Sequence, residues 1–297
     1  MGQGTTLFSD YAPHHELLIL FDSDGTVFDT VRVKQIKCFI PTTIRFWNLQ
    51  PIEEPARQTA EFVNMYSRQR GVNRFPALLL LFDLLREHPH VKQTGFTIPH
   101  YSSLRQWLQE EANWNHQTLA QRIASHHDPV LQRALEWSQA INEAVAENVN
   151  DMAPFRGVSE SLKFCFDHAD LMVCSTTTES ALRREWQRHG LLPYVRRIAG
   201  QETGNKNEII RTMTARYYRP DHVLMVGDSP VDWRAAHDNG ARFFPVLPNG
   251  EEESWKTFYA GTAPAFFAGT YTMDDERFAI EQFLSLLPPN PPWQPGA

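Results

Sequence analysis

The chain has 297 residues, 42% hydrophobic and 21% charged, which argues against wholesale disorder and leaves room for one large domain or two modest ones with a buried core. A formal net charge of −7 argues against a general nucleic-acid binder, which needs a basic surface to release counterions from phosphates. It leaves open a small phosphorylated ligand, because a local cation cluster and a metal reverse the sign inside one cleft.

Residues Met1 to Asp10 lack the basic and apolar regions of a secretory signal. The longest apolar run, Ala77 to Phe82, stops at Asp83 and is too short to cross a bilayer. Cys38, Cys165 and Cys174 are widely spaced and odd in number, with no disulfide framework or zinc pattern. The expectation is a soluble cytoplasmic protein with no membrane partner.

In chain order, Leu17–Phe21 is a continuous apolar run of strand length, suited to burial on both faces of a parallel sheet, and it ends at Asp22. Residues 31–150 carry helical patterns and no convincing buried strand. Leu78, Leu81, Phe82 and Leu85 repeat at helical spacing, and Asp128-Pro129 caps and opens a helix with Leu131, Leu135, Ile141 and Val145. Met152–Gly157 reads as a return linker. From there strands and helices alternate: a helix with Val158, Leu162, Cys165 and Phe166, a strand Leu171–Cys174, and a helix with Leu182 and Trp186 closed by Gly190. A helix from Lys206 carries Ile209, Ile210, Met213 and Tyr217, and strands Val223–Val226 and Arg242–Val246 follow, the last near an edge because Pro245 cannot donate to a ladder. Pro288–Pro292 reads as the start of a loose tail. The fold class is α/β: a doubly wound parallel-sheet domain from residues 1–30 and 151–297, interrupted by an all-helical domain at 31–150.

Chemistry-bearing residues fall at equivalent places. Asp22, Ser175 and Asp228 each follow a strand, and Lys206 opens the helix before the third of these strands. Carboxyl ends of parallel strands form the ligand crevice of such sheets. A nucleophilic carboxylate, a hydroxyl, an ammonium and a second acidic pair together suit a phosphoryl group, whose charge needs a cation, donors and an in-line nucleophile.

Asp22-Ser23-Asp24-Gly25-Thr26 resembles motif I (DxDGT) of the haloacid dehalogenase superfamily. Ser175, Lys206 and Gly227–Asp232 resemble its motifs II, III and IV, in order, and the helical stretch falls where that superfamily places its C1 cap. The similarity is to phosphoglycolate-phosphatase-like members, although the insert is longer than their compact caps. The resemblance implies a Rossmann-like core and a Mg²⁺-dependent phosphatase acting on a small phosphorylated metabolite. It implies Asp22 as the nucleophile forming an aspartyl-phosphate, and Asp24 as general acid and base. Mg²⁺ would be held by Asp22, the Asp24 backbone carbonyl and Asp228. Ser175 and Lys206 would hold the phosphoryl oxygens, with Gly25 and Thr26 shaping the turn and Thr176 or Thr177 as substitutes for Ser175. Asp232 would orient Lys206 or metal-bound water. A carboxylate at position 24 points to phosphate esters and away from dehalogenases, phosphonatases and transport ATPases. A phosphomutase using the same intermediate is an alternative, as is a catalytically silent protein on the same scaffold.

Blander readings stand beside these. A calcium loop fails on spacing, since Gly25 arrives too early and Val33 occupies the position of the bidentate glutamate. Lys206 could be a solvated first-turn lysine, although a cation there opposes the helix dipole. Within the insert, Arg68, Arg70, Asn73 and Arg74 surround a break at Gly71. They either bind a second anionic group of the substrate or form an ordinary solvated helix end.

Overall fold

The computed structural model describes residues 7–149 and 152–294. The chain forms two compact units, Met1–Thr30 with Asp151–Leu286, and Val31–Asn150 with Leu287–Ala297.

The first unit is built on five parallel strands: β1 (Leu18–Phe21), β2 (Asp170–Cys174), β3 (Arg197–Ala199), β4 (Val223–Gly227) and β5 (Arg242–Pro245), in the order β3-β2-β1-β4-β5. The apolar runs thus form the expected doubly wound sheet, with Pro245 on an edge strand. β3 was not anticipated, because three residues are too few to display a period. β1 pairs in parallel with both β2 and β4, Leu18 lying opposite Asp170 on one side and Val223 on the other. Strand order reverses at β1, so the crevice beyond the carboxyl ends of β1 and β4 is the topological switch point.

All four β1 residues are buried, which explains why the run does not alternate. Ile19 and Phe21 join Leu171, Val173, Leu224 and Val226 in a core closed by Leu162, Leu182, Trp186, Trp255 and Phe258. Leu18 and Leu20 point to the opposite face, as the two-residue period of a strand requires. At the amino end of β2, buried Asp170 accepts hydrogen bonds from the backbone N–H groups of His14 (2.7 Å) and His15 (3.1 Å) and from the Tyr218 hydroxyl (2.7 Å). The Arg196 Nε stands 3.3 Å from its other oxygen. This one carboxylate ties the segment before β1 to the sheet.

The second unit is helical among the described residues. Its principal helices are Ile40–Phe46, Glu53–Met65, Arg74–Glu87, Ser102–Glu110, His116–His126 and Pro129–Asn148. They enclose their own core, in which Trp47, Phe75, Phe82, Trp107 and Trp137 pack mostly edge to face. The Asp128 carboxylate accepts from the Val130 and Leu131 N–H groups at 2.8 and 3.0 Å, capping the last of these helices.

The proline-rich segment departs from the loose tail expected of it. Leu287 is fully buried, and the Trp293 ring packs against His88 (4.7 Å between centroids) and Phe62 (6.1 Å) of the helical unit. Prolines cannot donate to a ladder, but they do not prevent an aromatic side chain from filling an apolar notch. The tail beyond residue 294 lies outside the described residues, as do residues 150 and 151 at the expected domain boundary.

Removing the Asp170 carboxylate leaves buried donors without their acceptor. Asp170→Ala is expected to lower the unfolding free energy by about 3 kcal/mol, measured by native-state hydrogen exchange at the β1 and β2 amides. A change below about 0.5 kcal/mol, the range of an inert substitution, would show that this network does not hold the segment before β1 to the sheet.

Candidate active site

Asp22 continues the β1 ladder by one bond, its N–H donating to the Val226 carbonyl at 3.0 Å, and the chain then turns sharply. Gly25 has a φ of 75°, a conformation that costs a residue without a Cβ little. Its N–H donates to the Phe28 carbonyl at 2.8 Å. The Val27 and Phe28 N–H groups both donate to the Ser23 carbonyl, at 2.9 and 3.0 Å. The turn therefore closes on itself and fixes the residues it carries. The Ser23 N–H donates to Asp22 Oδ1 at 2.7 Å, and the Thr26 hydroxyl donates to Asp228 Oδ1 at 3.0 Å. The Asp24 carboxylate accepts from two hydroxyls, Thr30 at Oδ1 and Thr177 (2.9 Å) at Oδ2.

Beyond β4, Ser229 caps helix Pro230–His237 in a capping box with Asp232, whose Oδ2 accepts from the Ser229 N–H (3.1 Å) and hydroxyl (2.6 Å). Asp232 lies so close to Gly227 that a Cβ there would fall 2.5 Å from the carboxyl carbon. Only glycine fits between the strand end and this carboxylate. Lys206 opens helix Lys206–Arg216, capped by Asn205 and Glu208. Its buried ammonium donates to Asp22 Oδ2 at 2.7 Å and to Asp232 Oδ1. An ammonium at a helix start opposes the dipole, and these two carboxylates supply the opposite charge that offsets it.

Burial raises the Asp22 pKa most, Lys206 opposes that, and the charges of Asp232 and Asp228 add to the rise, to about 7. Burial alone would lower the Lys206 pKa, but Asp22 and Asp232 outweigh it and the net direction is upward. Carboxylate oxygens of Asp22, Asp228 and Asp232 lie within 4.8 Å of one another. Clustered hard oxygen donors of this kind fit a divalent cation such as Mg²⁺. Both Asp232 oxygens accept from Lys206 and Ser229, both Asp22 oxygens from Lys206 and Ser23, and Asp228 Oδ1 from Thr26.

The remaining sequence candidates fall as follows. Ser175 is buried at the end of β2, its N–H bonded to the Ala199 carbonyl at 3.0 Å, and Thr176 is exposed. Cys174 is a core residue whose thiol pKa is driven up by burial. In the helical unit Arg68 is exposed, and Arg70 Nη1 donates to the Met65 carbonyl at 3.0 Å. Asn73 caps helix Arg74–Glu87 by accepting from the Phe75 N–H at 3.0 Å. Arg74 Nη1 bonds the Ser138 carbonyl and hydroxyl and Asn142 Oδ1, and its guanidinium lies 5.0 Å over the Phe39 ring. Burial lowers its pKa to about 10. Sequence reasoning gave Thr30 no role and Thr177 only that of a substitute for Ser175, yet both hold Asp24. Position within a loop carries no periodic signal that would single them out.

A carboxyl group with a raised folded-state pKa favours folding below its unfolded value of about 3.9, and that contribution is lost as pH rises through about 7. In cation-free buffer with chelator, Asp22→Asn is therefore expected to melt above the parent protein at pH 8. The gap should shrink steadily toward pH 5 in scanning calorimetry. A gap independent of pH would refute this account of the Asp22 environment.

The profile of the haloacid dehalogenase-like hydrolase family matches residues 97–246, half of the chain. The match takes in Ser175, Lys206, Asp228 and Asp232 and begins after Asp22. No curated protein matches the chain. Solved structures similar to it include a predicted phosphoglycolate phosphatase from Haemophilus somnus 129PT, at 15% identity over 78% of this chain and 84% of that one, with a TM-score of 0.49. A hydrolase from Pseudomonas syringae aligns at 16% identity over 80% and 90%, TM-score 0.46. A HAD-superfamily hydrolase of subfamily IA from Geobacter sulfurreducens PCA aligns at 15% over 77% and 88%, TM-score 0.39. With its parallel five-stranded sheet, its helical insert and a profile match across half its length, this chain belongs to the haloacid dehalogenase-like hydrolase family.

Proposed function

We propose that the protein is a Mg²⁺-dependent phosphatase that hydrolyses a small phosphorylated metabolite through an aspartyl-phosphate on Asp22. The observation that carries this reading is the Lys206 ammonium, buried between Asp22 (2.7 Å) and Asp232, which form one carboxylate cluster with Asp228 at the strand ends. A structural ion pair would not need three aspartates, and an anionic substrate needs the cations such a cluster can gather.

In this reading an Asp22 carboxylate oxygen bonds to phosphorus while the ester P–O bond breaks, and the departing alkoxide takes a proton from Asp24. Asp24, now a carboxylate, removes a proton from the water that attacks phosphorus and releases Asp22. Thr30 and Thr177 hold the two Asp24 oxygens and so set the direction in which that proton moves. Lys206 and Ser175 steady the transferring phosphoryl oxygens, with Gly25, Thr26 and Thr176 around them. Asp22, Asp228 and the Asp24 backbone carbonyl would hold Mg²⁺, which neutralises charge between the attacking carboxylate and the anionic ester when bound. The 31–150 unit would serve as a cap that governs water entry, with Arg68, Arg70, Asn73 and Arg74 as its candidates for substrate choice.

A screen of phosphorylated metabolites with Mg²⁺, scored by released phosphate, is expected to find at least one substrate and to lose all turnover with EDTA. Asp22→Asn should fall by at least about a thousandfold. Turnover equal to the parent's would overturn the nucleophile assignment, and isomer formation without phosphate release would point to a phosphomutase. In the first, single-turnover release of the leaving group, which precedes the base step, Asp24→Asn should slow alkyl phosphates by about 10²- to 10⁴-fold and an aryl phosphate with a good leaving group far less. Equal losses on both would remove Asp24 from proton transfer to the leaving group.

A further inference from the structure

Two fully buried tryptophans reach the turn after β1 from the core side, and neither belongs to the sequence motifs. Trp186, on helix Glu179–Arg188, donates its indole N–H to the Ser23 hydroxyl at 3.1 Å and meets the Phe28 ring edge-on at 6.1 Å. Trp255, on helix Glu251–Thr257, donates its indole N–H to the Thr26 carbonyl at 2.8 Å and stacks on Phe21 at 6.0 Å. Each contacted residue then makes one further bond to a carboxylate. The Ser23 N–H holds Asp22 Oδ1 (2.7 Å), and the Thr26 hydroxyl holds Asp228 Oδ1 (3.0 Å).

We infer that Trp186 and Trp255 are positioning residues, which act through Ser23 and Thr26 to set the orientations of Asp22 and Asp228. This rests on the phosphatase reading above. Ser23 occupies the one position between the two aspartates, and its side chain points into the core with no exposure. A buried hydroxyl demands a partner, and Trp186 is the donor that defines its rotamer. Once that hydroxyl is fixed, so is the peptide that directs the Ser23 N–H at Asp22. Thr26 is β-branched and stiff at χ1, so a carbonyl held by Trp255 also fixes where its hydroxyl points. Packing alone would be served by any large apolar ring. The N–H groups are what connect the core to the carboxylates.

The test removes the N–H and keeps the ring. Benzothienylalanine, an indole isostere without the donor, is introduced at position 186 or 255 and compared with Trp186→Phe and Trp255→Phe. At 186, kcat is expected to fall about fivefold to tenfold, the worth of one buried hydrogen bond, with KM changed less than about twofold. Combining that replacement with Ser23→Ala should cost no more than Ser23→Ala alone. At 255, the Mg²⁺ concentration giving half of the Mg²⁺-induced rise in melting temperature should increase about fivefold. A second readout needs no substrate: stabilisation by Mg²⁺ with beryllium fluoride, an acyl-phosphate mimic, should weaken in both isostere proteins. Isosteres that match the parent in kcat, cation dependence and fluoride stabilisation would overturn the inference and leave the tryptophans as packing. A parent protein that beryllium fluoride does not stabilise would overturn the Asp22 reading itself, and this relay with it.

Discussion

A single ammonium organises the strand ends of this protein. Lys206 donates to Asp22, which follows β1, and to Asp232, which lies in the first turn of the helix after β4. Three segments that the chain keeps far apart converge on one buried nitrogen. Burying these charges is tolerable only because they are close and hydrogen-bonded. The surroundings are built to keep them so: Gly227 leaves space for the Asp232 carboxyl, and Ser229 takes its second oxygen.

The turn that carries Asp22 and Asp24 is held more tightly than a connecting loop needs to be. Bonds inside it involve the Ser23 and Phe28 carbonyls, and bonds from outside arrive from Trp186 and Trp255. In the proposed phosphatase reading, a nucleophile that must meet phosphorus in line gains from such rigidity, because positioning and fixed charge account for most of the catalysis in phosphoryl transfer. Asp24 is held differently, by two hydroxyls that accept as readily as they donate. That arrangement suits the acid and base role proposed for Asp24.

The helical unit has its own aromatic core and its own helix caps. Its tail segment carries Trp293 to Phe62 and His88, so a stretch of chain that leaves the last helix of the sheet unit contributes to the packing of the other. Arg70 and Asn73, placed by sequence beside the Gly71 break, make backbone bonds that shape this region, while Arg74 bonds across to Ser138 and Asn142.

The sequence by itself determined the sheet strands other than β3, the helices Val158–Phe166, Glu179–Arg188 and Lys206–Arg216, and the position of Asp22, Lys206 and Asp228 at strand ends and a helix start. These are local facts: an unbroken apolar run, a 3.6-residue period or a capping pair is written in neighbouring residues. Tertiary structure decided that Lys206 reaches Asp22 and Asp232 together, and that Thr30 and Thr177 share the Asp24 carboxylate. It also decided that a tryptophan from helix Glu179–Arg188 finds Ser23, and that a proline-rich tail packs through Trp293. Each of those pairings joins residues distant in the chain, or chosen by one loop's exact path, and strand order and side-chain packing create the meeting. Periodicity says which face of an element is buried; only the assembled sheet says what that face, or the residue just beyond it, will touch.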